Sequence, residues 1–327
     1  MHCGEEANSR RLVERRDSMS EQISVIIPCY QNAGTIGHAI ESVCQQEGLL
    51  EIIAVDDGSR DETGRMLDGI AAADPRVRVM HKENGGVGSA RNAGIGMARG
   101  DWLFFLDGDD YLLPGAFETL LDGVRQGEEI DICCGAYTIR HTDSGMEETH
   151  ACASGDRQVI YESLIRGDSA LNSMCARLYR TSMIRSSGIQ VPEDVRVGED
   201  VLFNLEAFRA AHGWRMLDDV IYRYELGGDS AMMRANAGRY QASRPMIEGI
   251  LAFTRTNHLE TDLFRAVIDI YVRTLRVEYG RISAAFRLTR REVDEMTAGV
   301  EPARLPLKQQ LYYHALRFWP FLSVLLP

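Results

Sequence analysis

Between residues 23 and 106 the chain repeats one pattern four times: a short apolar run, a polar or glycine-bearing break, then a helical period. The apolar runs are residues 23–27, 49–55, 77–80 and 102–106, of strand length and bounded by turn-forming residues. Strands alternating with helices predict an α/β fold: a mostly parallel, Rossmann-like sheet flanked by helices, with right-handed crossovers. Runs with no polar alternation, such as Trp102 to Leu106, predict strands covered on both faces. Each run ends in polar or glycine-rich residues on the same edge of that sheet, where ligands of open α/β sheets bind.

The most concentrated of these ends is Asp107-Gly108-Asp109-Asp110. Three carboxylates so close raise one another's pKa unless a cation or hydrogen-bond donors compensate. Oxygen-only ligands suit Mg²⁺ or Mn²⁺, and Mg²⁺ is commonly held by one or two carboxylates plus substrate phosphates. A plain acidic turn is the competing reading, since Asp-Gly is a routine turn dipeptide. An EF-hand is excluded. Asp107, Asp109 and Glu118 fit its first, third and twelfth positions, but Tyr111 and Leu112 stand where a ligand and a glycine are required. No G-x-G-x-x-G follows the first strand and no G-x-x-x-x-G-K-[ST] occurs anywhere, which weakens dinucleotide and P-loop readings.

The composition, 45% hydrophobic and 26% charged over 327 residues, is that of an ordinary globular protein. A net charge of −12 argues against general nucleic-acid binding. Seven cysteines with no C-x-x-C argue against a disulfide framework or a zinc site and point to a reducing, cytoplasmic compartment. No run reaches the roughly 18 to 20 apolar residues that span a bilayer. Residues 1–20 read as a disordered leader, with Met19 an alternative start.

Along the chain, Thr35 is placed to cap the first helix, Ser59 and Glu62 form a capping-box pattern, and Gly100 is placed to end the third helix. Beyond the acidic break, residues 115–126 read as helix, 130–139 as strand, 140–157 as a flexible polar loop, and 177–179 as a short strand. Gly198-Glu199-Asp200 opens another helix, and residues 220–224 form the last strand. From about Ala235 the patterns are helical, with an apolar stripe through Leu263, Val267, Ile270 and Leu275. The terminal segment, residues 305–327, mixes Lys308, His314 and Arg317 with large apolar residues and suits a membrane interface or docking onto the protein itself.

Five stretches read together carry a resemblance. Ser24-Val25-Ile26-Ile27-Pro28-Cys29-Tyr30, Val55-Asp56-Asp57-Gly58-Ser59, Glu83-Asn84-Gly85-Gly86-Val87-Gly88-Ser89-Ala90-Arg91-Asn92, Phe105-Leu106-Asp107-Gly108-Asp109-Asp110 and Gly198-Glu199-Asp200 occur in this order. Over residues 23–232 the chain resembles the family-2 glycosyltransferases of the A-type nucleotide-diphospho-sugar fold. The resemblance implies an inverting transferase that uses a nucleotide-sugar donor, expected to be a UDP-sugar, a divalent metal (Mn²⁺ or Mg²⁺), and a glycan or lipid-linked acceptor. It implies that Pro28 and Tyr30 line the nucleotide pocket and that Asp57 accepts a hydrogen bond from a uracil ring N–H. Asn84, Gly85 and Gly86 would let backbone approach the nucleotide. Arg91 would face the pyrophosphate or pair with a surface acid, and Asp107 would contact ribose or sugar hydroxyls. Asp109 would bind the metal, and Asp200 would act as catalytic base. For Asp56, Asp57, Asp110 and Asp200 the competing role is capping or helix-terminus electrostatics.

Two departures stand out. Ser173-Met174-Cys175-Ala176 occupies a place where family members often carry tryptophan and lysine, and no histidine offers an additional metal ligand, His212 reading as ordinary surface. Arg223-Tyr224 and Ser230 resemble a loop that closes over the diphosphate. The expected organisation is a leader (1–20), a catalytic domain (21–232) and a C-terminal helical region (233–327), in a cytoplasmic protein peripheral to the inner membrane face.

Overall fold

A computed structural model of the chain describes residues 21–126, 129–167, 170–227, 239–270 and 290–318. The expected leader, Ser230, Leu275 and the end of the terminal segment lie outside the described residues.

The first half follows the sequence pattern: β1 (Ile23–Cys29), α1 (Ile36–Cys44), β2 (Leu49–Asp56), α2 (Thr63–Ala73), β3 (Val77–His81), α3 (Val87–Met97) and β4 (Trp102–Phe105). These strands pair in parallel in the order β3-β2-β1-β4. Most of β1 and β2 and all of β4 are buried, so nearly every side chain on both faces is in the core. Burying an Ile, Val or Phe fully is worth about 1.5–3 kcal/mol, which is why unbroken apolar runs settle at the sheet centre. Pro28 does not end β1. It pairs with Val55 at a level where the ladder to β4 has already stopped at Ile26, so its missing N–H leaves no bond unmade there.

The second half is β5 (Tyr111–Leu112), α4 (Ala116–Arg125), β6 (Ile130–His141), β7 (Glu147–His150), α5 (Arg157–Arg166), β8 (Arg177–Arg180), α6 (Thr181–Ser186), α7 (Glu199–Ala210) and β9 (Gly213–Leu226). They extend the sheet as β4-β8-β6-β9-β5, with β7 pairing β6 beside β8. β8 runs antiparallel to both β4 and β6, so the sheet is mixed rather than mostly parallel. The stretch expected to be a loop holds β7, whose Glu147 to His150 close a hairpin on β6.

Three local expectations are corrected. Thr35 precedes α1, but its hydroxyl makes no cap and donates to the Gly108 carbonyl at 2.7 Å. α2 begins four residues after Ser59, and Asp61, not a Ser59–Glu62 box, accepts from the Thr63 N–H at 3.1 Å. α3 ends at Ala98 by turning extended, whereas Gly100 is required by close approach: a Cβ there would sit 2.7 Å from the Gln22 carbonyl.

Past the sheet come α8 (Arg239–Thr256), α9 (Arg290–Thr297) and α10 (Leu307–Phe318). α8 packs directly on α7. A Cβ on Gly249 would lie 2.6 Å from Leu202, and one on Gly198, where φ is +85°, would collide with Met246. No described helix is long and apolar enough to cross a membrane.

Candidate active site

The ends of β1, β2, β3 and β4 and the start of α7 bring their polar residues to one rim. After β2, the buried Asp57 carboxylate accepts from Lys82 Nζ at 2.7 Å, from the Gly85 N–H at 2.9 Å and from the Gly86 N–H at 2.8 Å. Asn84 Nδ2 donates to the Asp57 carbonyl at 2.9 Å. Three donors pin the carboxylate and leave it a further lone pair for an incoming N–H. Gly86 begins α3 with φ +89°, and the space a Cβ would take is open. Next to Asp57, the exposed ring of Tyr30 and the half-buried Pro28 leave β1 toward the same rim.

Asp56 serves the frame. Its oxygens meet the Ser59 N–H at 3.0 Å and His81 Nδ1 at 2.9 Å, while His81 Nε2 lies 3.1 Å from Asp68 on α2. Burial pushes the Asp56 carboxyl up, but the bonds from Ser59 and His81 outweigh it and hold it below the ordinary range. Bonds to Asp56 and Asp68 raise His81.

At the centre is Arg91, buried at 3% exposure. Its Nη2 donates to Asp107 at 3.0 Å, and its Nη1 to Asp200 at 2.6 Å and Glu199 at 3.1 Å. Its side chain ties the end of β4 to the start of α7 through partly exposed acids. Its Nε is buried without a partner among the described residues. Burial works against the guanidinium's charge, but Asp200, Asp107 and Glu199 more than compensate and keep it protonated. The second oxygen of Asp200 accepts from the Met174 N–H at 3.1 Å. The side-chain departure at residues 173–176 thus leaves a backbone contact that holds the candidate base. Burial and Asp200 beside it push the Glu199 carboxyl up to about 8, against the opposing pull of Arg91.

The three aspartates after β4 divide. Asp107 leans on Arg91. Asp109 faces solvent and, among the described residues, meets no cation and no donor beyond its own N–H. The surrounding protein and the charge of Asp107 push its carboxyl up to about 6. Asp110 is buried and accepts from the Tyr222 hydroxyl at 2.6 Å and the Glu225 N–H at 3.1 Å, so it fastens β9 beneath the rim. Burial, Asp107 and Asp109 raise its pKa. No group of three His, Cys, Asp or Glu side chains is gathered for a metal among the described residues. A solvent-facing Asp109 with unmet negative charge two residues from Asp107 nonetheless fits a cation whose remaining ligands come from a pyrophosphate and water. His212 is exposed but engaged, its N–H and Nδ1 both 2.9 Å from Asp131.

Sequence reasoning passed over Lys82, Tyr222 and the Met174 N–H. Lys82 was findable, because it stands at a strand end on the same rim. The other two act through long-range contacts that no local pattern announces.

Known proteins resemble this chain in sequence and in fold. The model of glycosyl transferase family 2 matches residues 24–188. The uncharacterized glycosyltransferase EpsJ of Bacillus subtilis is 32% identical over 221 residues, which cover 62% of this chain and 60% of EpsJ. Chondroitin synthase of Escherichia coli is 38% identical over 140 residues, 42% of this chain and 20% of that one. Among solved structures, S. aureus TarS residues 1–349 in complex with UDP-GlcNAc superposes with a TM-score of 0.66 over 92% of this chain and 89% of that one, at 18% identity. The chain thus spans less than two thirds of EpsJ, and the TarS likeness speaks for the A-type fold alone. A rim built in the expected order, inside a family match covering half of the sequence, makes this chain a member of glycosyl transferase family 2.

Proposed function

We propose that the protein is an inverting glycosyltransferase that moves a sugar from a UDP-sugar to an acceptor hydroxyl in surface polysaccharide or glycolipid synthesis. The observation that carries the reading is the single guanidinium of Arg91 shared by Asp107 and Asp200, at 3.0 and 2.6 Å. It sets the donor-side carboxylate and the candidate base on two sides of one guanidinium. The names of the relatives support the substrate class: a chondroitin synthase among them, and a fold neighbour complexed with UDP-GlcNAc.

In this reading the uracil ring lies against Tyr30 and gives its N–H to Asp57, whose carboxylate is already held in place by Lys82 and the Gly85 and Gly86 N–H groups. Asp107 meets ribose or sugar hydroxyls through the oxygen that Arg91 leaves free. Asp109, with Asp107 beside it, would hold a divalent cation, which supplies charge stabilisation to the departing diphosphate. Asp200 takes the proton of the acceptor hydroxyl as that oxygen attacks the anomeric carbon from the face opposite the leaving group. One displacement needs one base and inverts the centre. Arg91 and the Met174 N–H fix the base's orientation, and Glu199 shares the same guanidinium beside it. Leu307 and Leu311, exposed one turn apart on α10, support a cytoplasmic protein seated peripherally on the inner membrane face.

The test is a donor screen: purified protein, Mn²⁺ and a panel of nucleotide sugars, with release of nucleoside diphosphate measured. The wild type releases UDP from at least one donor, and Asp200→Asn lowers acceptor-dependent turnover by about 10²–10⁴-fold while retaining donor affinity. Unchanged turnover in Asp200→Asn would leave only the rival reading, a nucleotide-sugar-binding subunit without catalysis.

A further inference from the structure

The donor-side groups Tyr30, Asp57, Asp107 and Asp109 all follow β1, β2 or β4, in one half of the sheet. The other half presents a second set of side chains to the same rim. β6 and β9 run parallel with Tyr137 opposite Tyr222 and Ile139 opposite Tyr224. Partners across a ladder, and residues two apart along a strand, share a face. The Tyr222 hydroxyl donates to Asp110 and accepts from the Asp107 N–H at 3.4 Å, so this face carries the acidic rim. Tyr137 therefore stands about one strand spacing, ~4.8 Å, from Tyr222 on that face, with Tyr224 one pleat further along.

Tyr222 is buried, but Tyr137 and Tyr224 are only half-buried, and neither of their hydroxyls has a hydrogen-bond partner among the described residues. Arg223-Tyr224, expected in a loop over the diphosphate, lies inside β9. Burial and the charges of Asp110, Asp107 and Asp109 raise the Tyr224 hydroxyl's pKa, which fits a ring beside the carboxylates. Across the other edge of β6, His150 of β7 stacks on Tyr137, with ring centroids 5.2 Å apart and planes at 20°. His150 Nε2 makes no hydrogen bond among the described residues, and the Glu148 carboxylate stands 3.8 Å from it. The base lies close by in the chain's own wiring: Ala176, whose carbonyl accepts from the Gly135 N–H at 2.9 Å, is two residues from Met174, whose N–H holds Asp200.

We propose that Tyr137 and Tyr224 are the walls of the acceptor subsite and receive the pyranose ring of the accepting sugar, with His150 behind Tyr137 as a positioning residue. This rests on the transferase reading above. The apolar C–H face of a sugar lies on an aromatic ring while its hydroxyls need polar partners, and half-open tyrosines with free hydroxyls offer both. The stacked imidazole fixes the Tyr137 ring upright, sparing the entropy of ordering it on binding.

The test uses the full chain and methyl β-D-pyranosides of glucose, galactose and N-acetylglucosamine as probes, with glycerol phosphate as the non-sugar control, read by saturation-transfer NMR and titration. UDP release without acceptor is measured in parallel. At least one glycoside contacts the wild type. Tyr137→Ala weakens it by about tenfold and His150→Ala by less, while His150→Phe restores it by keeping the stacked ring. Acceptor-free UDP release stays within about twofold throughout, since the donor half is untouched. The proposal is overturned if no glycoside contacts the wild type, if glycerol phosphate alone does, if glycoside affinity survives Tyr137→Ala, or if that variant loses acceptor-free release as well. Absence of UDP release from the wild type with every donor would instead overturn the transferase reading itself.

Discussion

Arg91 carries more of this site than any aspartate it serves. Three carboxylates share one buried guanidinium, an arrangement that suits the planar fork of arginine and that a lysine ammonium cannot reproduce. Arg91→Lys keeps the charge but must abandon either Asp107 or the Glu199–Asp200 pair. A misplacement of about 1 Å at a reacting group costs on the order of 10²-fold in rate. The expected outcome is a kcat lowered by about that factor and a reduced Tm, and unchanged turnover in a folded variant would show that the knot is ornamental. The aspartates themselves were legible in the sequence, because Asp57, Asp107, Asp109 and Asp200 each stand at the end of an apolar run or the start of a helix. What they bind within the protein was not. That Arg91 would turn inward, and that Asp110 would fasten β9 through Tyr222, depends on contacts spanning 109 and 112 residues.

Among the elements, β1, β2 and β4 were readable because each is mostly buried and apolar and is flanked by turn residues. β3 was readable because Val77 and Val79 recur before the next helix. β7 was not: its sequence, Glu147 to His150, is polar and exposed, and it is a strand only because the edge of β6 offers it a ladder. β5, Tyr111 and Leu112, was too short to show a period, and in the first half of β9 polar residues interrupt the run. His81 shows how a strand end is fixed to its neighbours, bridging Asp56 at the end of β2 and Asp68 on α2. A histidine whose pKa is raised on folding stabilises fully below its unfolded value, near 6.5, and loses that contribution as pH rises through the folded value. Thermal unfolding of the wild type should therefore show a decline above about pH 6.5 that His81→Gln lacks. Parallel curves for the two proteins would sink the assignment.

At the scale of the molecule, the sheet divides into a parallel half that carries Asp57, Asp107 and Asp109 at its strand ends and a mixed half that carries the tyrosines and meets α7. The C-terminal helices are fastened to this body, since α8 packs on the helix that bears Asp200 through Gly249 and Leu202. α10 instead leaves Leu307 and Leu311 exposed at 75% and 66%. If these residues sit at a membrane surface, the double change Leu307→Glu and Leu311→Glu abolishes co-flotation with anionic vesicles and leaves UDP release intact. Equal flotation of the two proteins would place the segment elsewhere. Arg91 ties the end of β4 to the start of α7, and that has a consequence for anyone splicing this chain to a relative. A transplanted α7 must present an acid where Arg91 Nη1 already points, or the guanidinium is left to Asp107 alone.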